Sequence, residues 1–146
     1  MISLIQRVTA ATVVIDGEAV ASIDAGLLAL IAVEQGDAEK QIQRMTQRLL
    51  GYRVFADDNG KMNLSLEQTQ GQLLLVPQFT LLADTTSGNR PSFSKSPDAA
   101  LGKACFEQLC VHAKTEYSRV TAGIFGADMQ VSLVNDGPVT FSLKVR

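Results

Sequence analysis

Two polar islands interrupt apolar stretches of this chain, and they are where its residue types could do chemistry. The first is Pro77-Gln78-Phe79-Thr80-Leu81, at the end of "QLLLV". The second is Asn135-Asp136-Gly137-Pro138-Val139-Thr140, inside "MQVSLVNDGPVTFSLKV". A buried strand that takes on Gln and Thr must satisfy an amide and a hydroxyl. It can pair them with backbone at a strand terminus, or point them into a pocket beside N–H groups freed where the strand ends; the residues alone leave both open. Asn-Asp-Gly is the chemistry of a tight hairpin turn. The proline behind it is out of place, because a returning strand should begin there to donate its N–H groups.

Other reactive machinery is thin. The chain has one histidine, His112, so any Ser-His-Asp or Cys-His arrangement would have to use it, and a surface or packing role is the commoner fate at such a helical position. No His/Cys/Asp cluster has metal spacing, and no glycine-rich phosphate loop follows a strand. The chemistry implied uses no metal, no dedicated imidazole base and no cofactor, which favours a substrate that is already activated. Cys105 and Cys110 lie five apart, a spacing that matches no metal or redox motif. They read as reduced core residues, which argues for an intracellular, cytoplasmic protein.

The elements that must position the islands are legible from pattern. With 146 residues, the chain fits one domain, 1–146, long enough to bury about 68–70% of its unfolded surface without staples. "ISLIQRVTAATVVID" and "EAVASI" read as strands joined at Asp16-Gly17, and "LLALIAV" and "QLLLVPQFTLLA" as strongly apolar, buried strands. Asp37 is the expected N-cap of a helix over about Ala38–Leu50 that Gly51 ends. "YRVFA" and "MNLSLE" flank a hairpin signal at Asp57–Gly60. Asp98 should cap a second helix reaching about Tyr117. Between them "DTTSGNRPSFSKSP" is too long for a simple connection, and such loops are more often functional than accidental. The N-terminal segment alternates and carries Gln6 and Arg7 early, unlike a signal peptide, and no run reaches the ~20 apolar residues that span a bilayer. The net charge of −2 and pI near 5.3 speak against coating nucleic acid by charge alone. Lys40, Arg44 and Arg48 form one ridge, read as the solvated face of an amphipathic helix in preference to a phosphate track.

Taken together, "PQFTL" and "NDGPVT" resemble the two signature motifs of the D-aminoacyl-tRNA deacylases. "LIQRVTAATV", "GYRVFADDNGKMNLSL", "RPSFSKS" and "ADMQVSLVNDGPVTFSL" resemble the family too, in the same order and over essentially the whole length. One position departs: the first motif usually begins with serine, and here it is Pro77, which removes a hydroxyl and a backbone N–H at once. The catalytic assignment therefore falls on Gln78, Phe79 and Thr80, and position 77 is taken not to need its N–H for the sheet ladder.

The resemblance implies a mixed α+β, three-layer β/β/α fold, with two curled mixed sheets forming a barrel-like core and two main helices on one side. It implies hydrolysis of the ester of D-aminoacyl-tRNA, and of glycine mischarged on tRNA(Ala), as chiral proofreading in translation. The partner is the 3′-terminal aminoacyl-adenosine of the tRNA, in a pocket at the interface of a homodimer. The Gly137–Pro138 peptide is implied to be cis and to project into the other copy's pocket; Met129 is a candidate to line the pocket and Arg7 to clamp the turn, although an ordinary core methionine and an exposed strand arginine explain these two residues equally well. Lys61, Arg90 and Lys95 are candidate phosphate contacts, although surface solubility explains each equally well. Two rival readings are a non-catalytic RNA- or metabolite-binding dimer and a hydrolase of other activated esters. Against the first, an RNA-binding module should show aromatic stacking residues among basic ones, and no such cluster occurs.

Overall fold

A computed structural model describes residues 1–94 and 96–146. Among these residues eight strands and three α-helices follow one another as β1 (Ile2–Ile15), β2 (Glu18–Ile23), β3 (Gly26–Ala32), α1 (Glu39–Gly51), β4 (Phe55–Ala56), β5 (Met62–Leu64), α2 (Leu66–Thr69), β6 (Gln72–Pro77), α3 (Ala99–Glu116), β7 (Val120–Ala122) and β8 (Gln130–Lys144). The mixed α+β, barrel-like fold is the one expected, with α1 and α3 as its main helices. Its strands divide differently from expectation. β1 is long enough to bridge β3 and β2 along one edge and β8 along the other, so six strands form one curled sheet, and only β4–β5 stands apart.

The apolar runs of β3 and β6 are explained by burial on both faces. Leu27, Ala29, Ile31, Leu73 and Leu75 face α1 and α3, against Met45, Leu49, Phe106 and Leu109. Leu28, Leu74 and Val76 face a second cluster, inside the curl, with Val8, Val13 and Ile23. Each such fully buried leucine contributes about 1.5–3 kcal/mol relative to exposure. β3 and β6 run parallel from Gly26↔Gln72 to Ile31↔Pro77. That register delivers the first polar island to the open end of the sheet.

Local signals explain most boundaries. Asp16 (φ 50) and Gly17 (φ 83) make the left-handed turn between β1 and β2, as hairpin twist requires. Asp98 caps α3 by accepting from the Leu101 N–H at 2.9 Å. Three expectations are corrected. Ala38, not Asp37, is the N-cap of α1, and Gly51 lies within the helix; the Asp37 carboxylate accepts from the Glu34 N–H at 2.7 Å and the Met1 amine at 2.7 Å. "MNLSLE" leaves the strand at Leu64, because Ser65 and Gln68 form a capping box that starts α2. The "NDGPVT" segment does not reverse the chain at all. β8 runs on through it, pairing with β1 from Ile2↔Lys144 to Val14↔Gln130.

Candidate functional site

The first island ends β6. Pro77 is the last strand residue, and Phe79–Leu82 close into a 3-10 turn with Gln78 at its N-cap. The Gln78 N–H still donates to the Ile31 carbonyl at 2.7 Å, tying the turn to β3. Its side-chain amide donates to the Thr80 hydroxyl. The first N–H groups of a helical turn have no partner within it, and among the described residues those of Phe79 and Thr80 meet no acceptor. Gln78, Phe79 and Met129 line a cleft of about 560 Å³. Thr80 is exposed and does not line it.

The cleft is mostly apolar, with Phe93, Phe106 and Phe125 among its walls. Phe93 stacks at a tilt on Phe79, their rings 5.2 Å apart, and Phe125 meets Phe106 at 6.2 Å. Asp98 is the one ionisable group among the described lining residues, and its carboxylate is engaged as the α3 cap. The Ser96 hydroxyl, also on the wall, has no hydrogen-bond partner among the described residues. His112 is elsewhere, in a polar groove with Glu67 and Glu116. Burial pushes the Cys110 thiol up to about 11 and also raises Cys105, so neither offers a thiolate at neutral pH. No group of three or more His, Cys, Asp or Glu able to hold a metal occurs among the described residues.

The second island is a four-residue excursion within β8. Residues 136–139 stand opposite a single β1 residue, Arg7, between the pairs Gln6↔Thr140 and Val8↔Asn135. Such an insertion releases the surplus chain from the ladder and projects it from the sheet. Here the surplus chain is braced from both ends. The Asn135 side chain donates to the Thr140 hydroxyl at 2.8 Å and accepts from the Val139 N–H at 3.1 Å. Arg7 donates through Nε to the Asp136 carbonyl at 3.2 Å, pairs with the Asp136 carboxylate at 3.1 Å, and donates through Nη1 to the Val54 carbonyl at 2.6 Å. Gly137 sits at φ +128 and the Gly137–Pro138 peptide is cis.

Within one chain the two islands do not meet: Gly137, Pro138 and Arg7 are absent from the lining of the cleft. Lys61 lies in the turn between β4 and β5 and Arg90 in the exposed loop before α3, also away from it. Lys95 lies outside the described residues. Sequence reasoning missed the aromatic walls. Phe93 belonged to the loop already singled out by length, and Phe125 carried a signal in "GIFG", an aromatic residue between two glycines.

The family model for D-Tyr-tRNA(Tyr) deacylase matches residues 4–144. The chain is 56% identical to a D-aminoacyl-tRNA deacylase of Nitrosococcus oceani, over 99% of its own length and 94% of the relative's. It is 55% identical to the deacylase of that name from Pseudomonas putida, over 99% and 100%. Among solved structures, the c-Myc DNA Unwinding Element Binding Protein superposes with a TM-score of 0.94 at 33% identity, over 100% of this chain and 99% of that one. A probable eukaryotic D-amino acid tRNA deacylase shares the fold, with a TM-score of 0.83 at 16% identity over 97% and 98%. A match across nearly every residue, both islands included, leaves one assignment: the chain belongs to the D-Tyr-tRNA(Tyr) deacylase family.

Proposed function

We propose that this chain is a D-aminoacyl-tRNA deacylase acting as a homodimer, in which main-chain atoms carry both the chemistry and the chiral choice. The observation that carries the reading is the family match over residues 4–144, with relatives above 50% identity named for that activity. The substrate is the aminoacyl ester on the 3′-terminal adenosine, and the products are free D-amino acid and tRNA.

The reading uses a second copy to bring the two islands together. Gly137 and Pro138 do not line the cleft of their own chain, which is consistent with their serving the cleft of a second copy. β8 supports such an interface: among the described residues it pairs with β1 alone, and Val134 and Phe141 on it are exposed. A long unpaired edge with apolar side chains is a template for another chain.

The excursion offers the carbonyls of Gly137 and Pro138 to the substrate's ammonium as charge-assisted acceptors. An enzyme that accepts many D-residues cannot rely on a side-chain pocket, because one methylene is worth only about 1–3 kcal/mol. Discrimination of ~10⁴ needs about 5.5 kcal/mol. Gripping the ammonium and ester carbonyl, and filling the remaining direction with stiff backbone, rejects an L side chain by collision and lets a D side chain point away. Glycine passes such a filter, so glycyl-tRNA is a second substrate.

The chemistry asked of the protein is modest. The Phe79 and Thr80 N–H groups, free at the head of their turn, are the candidate donors for the charge that develops on the ester oxygen. A positioned water attacks, helped by the 2′-hydroxyl of the adenosine. Thr80 has no base beside it in sequence and is a poor nucleophile, so its hydroxyl shapes the turn through Gln78. The deciding assay follows amino acid release from D-tyrosyl-, L-tyrosyl- and glycyl-tRNA, with and without chelator. D-selective release, with glycine also cleaved and chelator without effect, is expected. Binding without release would mark a binding module, and cleavage of both enantiomers a general esterase.

A further inference from the structure

The β6–β7 ladder stops one rung short of the turn at Gln78, and a single residue accounts for it. Along β6 the backbone alternates between its neighbours. Gln72 and Gln78 donate their N–H groups to Ala25 and Ile31, on the β3 side, at 3.0 and 2.7 Å. Leu73 donates to the Arg119 carbonyl at 2.9 Å and the Leu75 carbonyl accepts from the Gly123 N–H at 2.9 Å, both on the β7 side. By that alternation the next N–H towards β7 belongs to position 77, and its acceptor would be the Gly123 carbonyl.

Pro77 has no N–H to give. Its Cδ, which stands where that hydrogen would be, lies 3.7 Å from the point a Cβ on Gly123 would occupy. β7 ends at Ala122, and among the described residues no donor meets the Gly123 carbonyl. Past Gly123 the chain turns, with Gly126 at φ +80, and Phe125, Gly126, Ala127 and Met129 form one wall of the cleft. Met129 packs back onto the same glycine, its sulfur 2.8 Å from that Cβ point.

We infer that Pro77 is a positioning residue: by withholding one ladder hydrogen bond it holds the 123–129 wall off β6 and so sets the width of the cleft. Supplying an N–H at position 77 adds the missing rung, draws Gly123 in, and shifts Phe125 and Met129 with it. The effect falls on substrate binding, since the donors at Phe79 and Thr80 are anchored separately through Gln78 and β3.

Only the identity of the substrate rests on the deacylase reading; the ladder itself does not. Pro77→Ala supplies the N–H without a hydroxyl, and Pro77→Ser supplies both. In the free protein the new amide at position 77 is expected to be protected from hydrogen exchange by at least ~10²-fold, with a through-bond coupling to the Gly123 carbonyl. With D-tyrosyl-tRNA, both variants should raise KM about three- to tenfold and leave kcat within about twofold. An unprotected amide in either folded variant overturns the inference, as does an unchanged KM beside a protected amide or a loss confined to kcat. Should the unaltered protein show no D-selective turnover, the deacylase reading fails, and the exchange measurement still decides the ladder.

Discussion

At the end of β6 the main chain leaves its ladder with donors unspent, whereas in the middle of β8 it leaves the ladder and is braced at both ends. The turn at Phe79 and Thr80 is tied to the sheet by the backbone bond from Gln78 to Ile31 and otherwise held by its own 3-10 bonds, the Gln78 amide and the Phe93 ring. The excursion at 136–139 is fixed by the Asn135 amide at its base and by Arg7 on its flank, which spans to Val54 as well. The difference follows from what each is asked to do. Donors that receive a developing charge need only be unpaired and aimed. A surface that rejects a molecule by collision must not yield, and stiffness requires a brace. If this division is right, substitutions in the excursion should cost far more than substitutions in the turn.

The largest effect is expected from Gly137→Ala. At φ +128 an L side chain is strained, and the new Cβ would meet the Val139 side chain at 2.8 Å and Arg7 Nη2 at 3.1 Å. The excursion must shift and its brace with it. Because it is exposed, the fold should survive, with a loss of at most about 2 kcal/mol in urea denaturation. Deacylation of D-tyrosyl-tRNA should fall by about 10²–10³-fold in kcat/KM. Activity near that of the unaltered protein would show that the excursion grips nothing.

Arg7→Ala comes next. Arg7 is only 16% exposed and serves two carbonyls and a carboxylate. Removing it leaves the Val54 carbonyl, an acceptor at 2.6 Å, without its donor, at a cost of about 1.5–3 kcal/mol for a charged hydrogen bond. We expect about 10–10²-fold lower kcat/KM together with that loss of stability. Arg7→Lys should recover little, because one ammonium cannot reproduce the guanidinium fork. A stable but slow variant would place the role in the grip; an unstable but fully active one would confine Arg7 to the fold.

The same contrast explains how much was legible beforehand. β3 and β6 announced themselves because burial on both faces selects unbroken apolar runs, and the cap at Asp98 and the turn at Asp16-Gly17 are local chemistry that sequence records directly. The second island misled, because Asn-Asp-Gly encodes a local turn and nothing local says that the strand resumes in its old direction afterwards. Only the pairing of β8 with β1, more than a hundred residues away in sequence, decides that. Asp37 misled for a related reason: its carboxylate was drawn from capping to the Glu34 N–H and the Met1 amine. Of the trio Gln78, Phe79 and Thr80 named from sequence, the first two line the cleft, with Met129, which was named separately. Phe106 and Phe125 were not named, because an aromatic residue that lines a cavity has the same pattern as one that fills a core.

Thr80→Ala tests the other region and should do little. The exposed hydroxyl receives the Gln78 amide, while the N–H groups of Phe79 and Thr80 belong to the backbone and survive the change. A fall of no more than about tenfold in kcat is expected, the cost of a looser turn. Loss of nearly all turnover with an intact fold would make the hydroxyl itself the reacting group, and the two regions would then differ in chemistry as well as stiffness.

His112→Ala should change nothing in the reaction, and that is the sharpest test of whether backbone alone suffices. His112 is the one imidazole of the chain and projects from α3 into a groove with Glu67 and Glu116, outside the cleft. An essential general base must come within about 2.6–3.2 Å of the proton it takes, directly or through one water. No imidazole can do so here unless a second copy brings its own α3 against the cleft. The variant in the intact assembly examines that route too. Turnover of D-tyrosyl-tRNA should match the unaltered protein across pH 6–8, the range in which histidine ordinarily titrates. A variant that lost activity, and with it an inflection in that range, would put an imidazole in the reaction and reduce the free N–H groups of the turn to helpers.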